Sequence, residues 1–350
     1  MYIYRLNFKP NIMKTEITLG IDIGGTNTAF GLIDKKGKCV GEGNIPTWKH
    51  SNIQDYLNEI HETVEKLYAP LKENFSLAGI GIGAPSGNYY DGTIEATNLP
   101  WKGRIRFCEL FQKFYPEIPV CLTNDANAAA IGEMVYGNAK GMKNFIMVTL
   151  GTGVGSGFVA NGEMIYGHDG FAGELGHIIV SPGGRECGCG RKGCLETYVS
   201  ATGVKRTVYK MLAEHNIPSE LRDVPFNKLE SKKVAEAAEK GDKIAQFTFE
   251  YTGRKLGEAL ANATAITSPE AIFLMGGLAK AGSLIFEPTK KHMEGNMLYM
   301  YKNKVKLLPS GIKGNVAIYG ASALAWNEIE KNKKNINDAE YRRNSGRRHR

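Results

Sequence analysis

A chain of 350 residues, 42% hydrophobic and 23% charged, is long enough for two domains and has the composition of a soluble globular protein. Its formal charge of +8 suggests nucleic acid until it is located: residues 331–350 hold eight Lys or Arg against Asp338 and Glu340, a net +6, so the body is nearly neutral and no nucleic-acid partner is expected. No apolar run approaches the ~18 residues of a membrane span and the first residues form no export signal, so a cytoplasmic protein without membrane contact is expected.

Residues 1–16 read as an N-terminal extension. From Thr18 to Ile33 the chain writes an apolar strand, the turn Gly24-Gly25-Thr26 and a second strand, as a tight β-hairpin requires. Gln54 to Tyr68 places Leu57, Ile60, Val64 and Leu67 at helical spacing. Leu77 to Ile82 is a strand feeding the loop Gly83-Ala84-Pro85-Ser86-Gly87, and Val120 to Thr123 is a strand followed by a helix over Ala126 to Tyr136. Phe145 to Val159 repeats the hairpin around Gly151-Thr152-Gly153. The offset of about 130 residues suggests two related halves, not a solenoid. Tyr251 to Ile266 reads as a long helix, Ala271 to Met275 as a strand ending in Gly276-Gly277, and Val316 to Ile329 as the last helix. This alternation predicts an α/β protein with mixed sheets. The expected domains are 17–123 and 124–315, with helix 316–329 able to return to the first, and a basic, disordered tail over 330–350.

The densest chemistry lies between 174 and 196. His177, Cys187, Cys189 and Cys194 supply the donors of a closed Cys₃His zinc site, which a reducing compartment favours over disulfides. Gly188, Gly190 and Gly193 are expected to fold the loop back through positive φ. Glu174 and Glu196 bracket the cluster as harder ligands that zinc leaves free. Cys39, Cys108 and Cys121 are scattered and read as small apolar residues.

Each Gly/Thr turn can present successive N–H groups to an anion. Gly24, Gly25, Thr26 and Asn27 form one such cradle, with Asp22 at the strand end placed to organise Mg²⁺ on phosphates; alone, it is equally a plain Gly-Gly hairpin. Gly151, Thr152 and Gly153 form a second, and two cradles can clamp a polyphosphate. Neither is a Walker A or dinucleotide-binding loop, since no Gly-Lys-Ser/Thr and no helix follows. Asn124-Asp125-Ala126-Asn127 sits between a strand and a helix, where Asn124 or Asp125 caps the helix and a carboxylate can also take a proton from a substrate hydroxyl. Gly276-Gly277 marks a strand–helix turn that suits an adenosine contact.

Together I-D-I-G-G-T-N at 21–27, N-D-A-N at 124–127, G-T-G-V-G-S-G at 151–157, A-G-E-L-G-H at 172–177 and C-G-C-G-R-K-G-C-L-E at 187–196 resemble the ROK family of repressors and sugar kinases, over about residues 17–329. The resemblance implies a two-domain actin-like fold with a small zinc-binding loop, sugar in the cleft and ATP with Mg²⁺ clamped between the halves. It makes Asp125 the general base and Asn98, Asn124, Asp125, Glu174, His177 and Glu196 the sugar partners, with His177 also holding zinc through its other ring nitrogen. It also implies a homo-oligomer, dimer or tetramer. Asn98-Leu99-Pro100-Trp101 is similar to the glucose-phosphorylating branch, ahead of mannose, N-acetylglucosamine, N-acetylmannosamine or allose. One departure is Pro85-Ser86-Gly87, where the family usually reads Pro-Gly. A sugar-sensing repressor of the family is the alternative; it would carry a helix-turn-helix segment ahead of the first hairpin, and only sixteen residues precede Ile17, with Met13 a candidate start.

Overall fold

The computed structural model describes residues 14–96, 99–312 and 314–346; Met13 and most of the expected extension lie outside them. Two five-stranded sheets share one design. The first contains β1 (Thr15–Ile23), β2 (Asn27–Asp34), β3 (Cys39–Pro46), β4 (Phe75–Ala84) and, after a side hairpin of β5 (Ile94–Ala96) and β6 (Gly103–Ile105), β7 (Val120–Asn124), in the order β3-β2-β1-β4-β7. The second contains β8 (Phe145–Leu150), β9 (Val154–Ala160), β10 (Glu163–Met164), β11 (Ala271–Met275) and β12 (Lys306–Pro309), in the order β10-β9-β8-β11-β12. In both, a three-stranded antiparallel meander continues into two parallel strands. The duplication expected from the two hairpins is therefore a duplication of whole sheets.

The helices are α1 (Ile53–Tyr68), α2 (Phe107–Gln112), α3 (Asp125–Tyr136), α4 (Glu196–Val199), α5 (Ala201–Glu214), α6 (Ser231–Glu239), α7 (Lys243–Thr267), α8 (Ser283–Asn296) and α9 (Val316–Gly346). Asn52 starts α1 by accepting from the N–H groups of Gln54 and Asp55, which satisfies two orphan donors. Helix α7 begins well before the predicted Tyr251, because Asp242 caps it through Ala245 N–H at 3.0 Å.

Alternation along β1 decides how the first half packs. Ile17, Leu19, Ile21 and Ile23 have no exposed surface and join Tyr56, Leu57, Ile60 and Val64 of α1 in one core. Burial of each such side chain contributes about 1.5–3 kcal/mol. Thr18 and Gly20 face the other way, toward α9. A Cβ on Gly20 or Gly81 would collide with the backbone of Ile318 or Ala321, so the missing side chains let α9 lie directly on the sheet. Thr18 Oγ1 meets Ser322 Oγ at 2.7 Å across this contact. The last helix thus returns to the first sheet.

It also runs further than expected. Residues 330–346 are helical, where the sequence reading placed a disordered tail. No Gly or Pro interrupts them before Gly346, and Lys331 pairs with Glu163 at 3.2 Å and Glu328 at 3.5 Å. Among the described residues no helix is long and apolar enough to cross a membrane.

Candidate active site

The carboxyl ends of β1, β4 and β7 lie side by side, and their register brings the first chemistry together. Asp22 pairs with Gly83, and Gly83 with Thr123. Beyond β7 the chain turns into α3, whose first residue is Asp125. A Cβ on Gly83 would stand 3.9 Å from Asp22 Oδ1 and 3.7 Å from the Asp125 Cα. Glycine there leaves the two carboxylates a common space.

Asn124 caps α3, its Oδ1 accepting from Ala126 N–H at 2.8 Å, which leaves its side-chain NH₂ free to donate. Asp125 Oδ1 accepts from the same N–H at 2.8 Å. Its carboxylate is open to water from the cleft but crowded by protein elsewhere. Desolvation raises its pKa above the usual value, against backbone hydrogen bonds that lower it. Asp22 is pushed up to about 7, first by burial and then by the Asp125 charge.

The first cradle is held from behind. Thr47 N–H donates to Thr26 O at 2.9 Å, Thr47 Oγ1 to Gly24 O at 2.8 Å, and the Trp48 indole to Gly25 O. Every carbonyl from Gly24 to Thr26 points at this segment. Because trans peptides oppose C=O and N–H, the following N–H groups of Gly25, Thr26 and Asn27 point away from it.

The second cradle abuts the start of α5. Ser200 caps that helix through Gly203 N–H, and Ala201 N–H donates to Gly151 O at 2.9 Å. Gly151 and Thr152 form one wall of a cavity of about 650 Å³, with Ala201, Ser231, Gly277 and Leu278 among its other walls. Gly276 has φ 101° and lies so close to Leu150 that a Cβ would meet its backbone. Only Gly277 of the pair faces the cavity. Ser231 and Leu278 were not anticipated; the Ser200 cap ahead of an apolar run was the one local signal that could have located this helix.

Around the cysteines, one ligand atom each from His177, Cys187, Cys189 and Cys194 lies within 4.8 Å of the others. His177 Nδ1 is 3.7 Å from Cys187 Sγ, while Nε2 is 4.0 Å from a Glu174 oxygen. The imidazole therefore stands between the thiols and the acid. Gly190 and Gly193 take φ 85° as expected, but Gly188 is not among the left-handed residues; the turn it sits in closes through Gly190 N–H to Cys187 O at 3.0 Å. Glu196 reaches further than its neighbours. One oxygen accepts from Val154 N–H at 2.9 Å and the other lies 3.8 Å from Cys187 Sγ, so it ties the cysteine loop to the second cradle. Glu174 feels the charges of His177, Asp125 and Glu196, and burial raises its pKa first of all. Asn98 lies outside the described residues.

The departure at Pro85-Ser86-Gly87 has a backbone consequence. Ser86 takes φ 52°, a left-handed conformation that glycine would hold without steric cost.

Comparison with known proteins adds an independent line. The family model described as "ROK family" matches residues 18–328. A glucokinase of Halalkalibacterium halodurans is 39% identical over 289 residues, 80% of this chain and 86% of that protein. An N-acetylglucosamine repressor of Escherichia coli is 26% identical, over 87% of this chain and 74% of that protein. Among solved structures, a ROK family glucokinase from Streptomyces griseus in complex with glucose and AMPPNP superposes with a TM-score of 0.72 at 29% identity. It covers 89% of this chain and 99% of that one.

Proposed function

The chain belongs to the ROK family, and we propose from that premise that it transfers the γ-phosphoryl group of ATP to the 6-hydroxyl of a hexose, with glucose preferred. It is an ATP-dependent hexose kinase. The observation that carries the chemistry is the Asp22–Gly83–Asp125 row: a carboxylate at a helix start, within a water-reachable cleft and beside a backbone anion cradle.

Phosphoryl transfer asks little covalent chemistry of the protein and much positioning. Asp125 takes the proton of the sugar hydroxyl as its oxygen attacks phosphorus. Burial raises its pKa above the usual carboxylate value, which strengthens it as a base. Asn124 donates through its free NH₂. Glu174, His177 and Glu196 take the remaining hydroxyls, with Asn98 as a further partner. N–H groups of the two cradles meet phosphate oxygens, and the cavity beside Gly277 takes the adenosine. Asp22 would anchor Mg²⁺ from the protein side, and the bound ion would supply positive charge against the phosphates.

The Cys₃His cluster fits zinc by donor type and mutual distance. His177, Cys187, Cys189 and Cys194 would hold it, and bound zinc supplies rigidity to the loop that carries Glu174, His177 and Glu196. By the same family likeness the proposal includes a cytoplasmic homo-oligomer, dimer or tetramer.

A panel of hexoses with Mg-ATP, followed by ADP release, tests the substrate. Glucose should give the highest kcat/KM; a roughly tenfold advantage of N-acetylmannosamine or N-acetylglucosamine, ~1.4 kcal/mol of transition-state binding, would move the assignment to that sugar. Asp125→Asn keeps the shape and should lower kcat by about 10²–10⁴ with little change in sugar affinity. Turnover within about threefold of wild type would remove Asp125 as the base.

A further inference from the structure

Asn88 lies in the turn that leaves β4, four residues past its end at Ala84, and is 4% exposed. A buried carboxamide needs partners, and this one finds them in both halves of the protein. Its Oδ1 accepts from Tyr90 N–H at 2.9 Å, and its Nδ2 donates to Asp169 O at 2.6 Å. The N–H can only donate and the carbonyl can only accept, so the amide has one allowed orientation. Its backbone is fixed as well, with Asn88 N–H on Thr93 O at 2.8 Å and Gly92 N–H on Asn88 O at 3.1 Å. Gly170 sits against the amide at φ 89°, where a Cβ would come within 2.7 Å of Asn88 Oδ1. Tyr90 adds a second strap, its hydroxyl donating to Gly167 O at 2.7 Å.

The segment so held runs from β10 to Glu174. Tyr89 stacks on Tyr166 at 3.8 Å and anchors its start. Ala172 N–H closes onto Tyr166 O at 3.0 Å, and Leu175 N–H reaches Ser156 Oγ at 3.1 Å; both bonds stay within the second half. Asn88 and Tyr90 instead refer the segment to β4, the strand whose Gly83 lies between Asp22 and Asp125. Packing does little past Tyr166. Phe171 is 40% exposed, and Asn88, Tyr90, His168, Asp169 and Phe171 border a cavity of about 460 Å³. Hydrogen bonds, more than core burial, therefore set where this stretch stands. At its end, Glu174 has its pKa raised first by burial, lowered by His177, and raised again by the Asp125 and Glu196 charges, so these groups share one space.

We infer that Asn88 is a positioning residue for Glu174. By tying Asp169 and Gly170 of the second half to the end of β4 in the first, it sets how far Glu174 stands from Asp125 across the sugar site. A polar site discriminates by the cost of groups left unpaired, so a ligand held off its mark loses selectivity together with affinity. This inference rests on the kinase reading above.

Steady-state kinetics of two variants test it. Asn88→Asp keeps the size and the acceptor for Tyr90 N–H but sets an oxygen against the Asp169 carbonyl. Gly170→Ala pushes the same contact apart from the other side. In each, KM for the sugar that the panel selects should rise about tenfold, its kcat/KM lead over the next sugar should shrink severalfold, and KM for ATP should stay within about twofold. In a Glu174→Gln background, Asn88→Asp should add less than about twofold to the sugar KM, because its effect runs through the group already removed. Effects that multiply in this cycle overturn the inference, as do an unchanged sugar KM and selectivity in both single variants. Equal rises in both KM values with a lowered Tm mark Asn88 as a stabiliser of the fold and overturn it too. Should Asn88→Asp not fold, Gly170→Ala in the same two backgrounds decides. Failure of every hexose in the panel would instead remove the kinase reading, and the wild-type assay reads that separately.

Discussion

Replacing Asp22 by Asn should stabilise the ligand-free protein while impairing it as an enzyme. Burial and the neighbouring Asp125 push the Asp22 pKa from 3.8 to about 7, so the folded state resists the charge that the unfolded state accepts freely. Below about pH 4 the carboxyl is protonated in both states and costs nothing. As pH rises toward 7 the unfolded chain ionises first, and stability falls across that window; above it the loss is complete. Three units at 1.36 kcal/mol each set a ceiling of ~4 kcal/mol, and relaxation by cleft water brings the expected figure nearer ~2 kcal/mol. For a chain of this length the unfolding entropy is roughly 0.7 kcal/mol/K, so Asn should raise the apparent Tm by about 3–6 °C at pH 8 and hardly at all at pH 4. Thermal scans of both proteins without ligand across that range provide the measurement, and turnover with Mg-ATP should fall in parallel. A Tm difference that does not grow with pH, or an Asn variant less stable at pH 8, would refute the reasoning, because the strain assigned to the carboxylate would not be there.

Cys189→Ser should lose most of the one zinc expected per chain, measured by metal analysis of protein purified without chelator, and should weaken sugar binding as well, since Glu174, His177 and Glu196 are carried by the same loop; unimpaired sugar affinity without metal would separate the two roles. Ser86→Val should lower stability by about 1–2 kcal/mol because φ 52° suits no β-branched residue, whereas Ser86→Gly should not lower it, the relief of strain offsetting the added freedom of the unfolded chain. Denaturant midpoints decide the pair, and a Gly variant less stable than Val would mean that the loop is held for another reason.

What the sequence made legible is what is local. A Gly/Thr turn between two apolar strands announces a hairpin wherever it occurs, and four zinc-type donors inside 18 positions, 177 to 194, announce the cluster whose ligand atoms the fold brings within 4.8 Å. The strand–helix junction at Asn124-Asp125 was readable as a cap for the same reason. The partnership of Asp22 with Asp125 was not, since it arises from parallel register across three strands and from the space left at Gly83. Nor was the cavity beside the second turn, where Ser231 and Leu278 arrive from separate segments. The charge of residues 330–346 suggests disorder, but they carry no Gly or Pro before Gly346 and are tethered through Lys331, and they continue the helix.

The duplication of the sheets explains both the two cradles and their unequal chemistry. Strand for strand, Asp22 corresponds to Thr149 and the end of β7 to the end of β12. Thr149 spends its hydroxyl oxygen on Gly155 N–H at 3.2 Å, inside its own hairpin. Where the first half carries Asn124-Asp125, the second carries Pro309-Ser310, and Ser310 donates to Glu133 in α3. Glu133 is fully buried, with its oxygens also taking Asn138 and Gly311 N–H. The second half thus turns the equivalent positions into struts, whereas the first half presents Asp22 and Asp125 there. Between them α3 and α9, which follow those strand ends, touch backbone to backbone at Gly132 and Gly320. A side chain at either glycine would separate the helices, and with them the sheets that each helix packs on. The placement of Asp125 between the two Gly/Thr turns therefore depends on a contact made far from either, at Gly132 and Gly320, and it is there that the repeated architecture is joined.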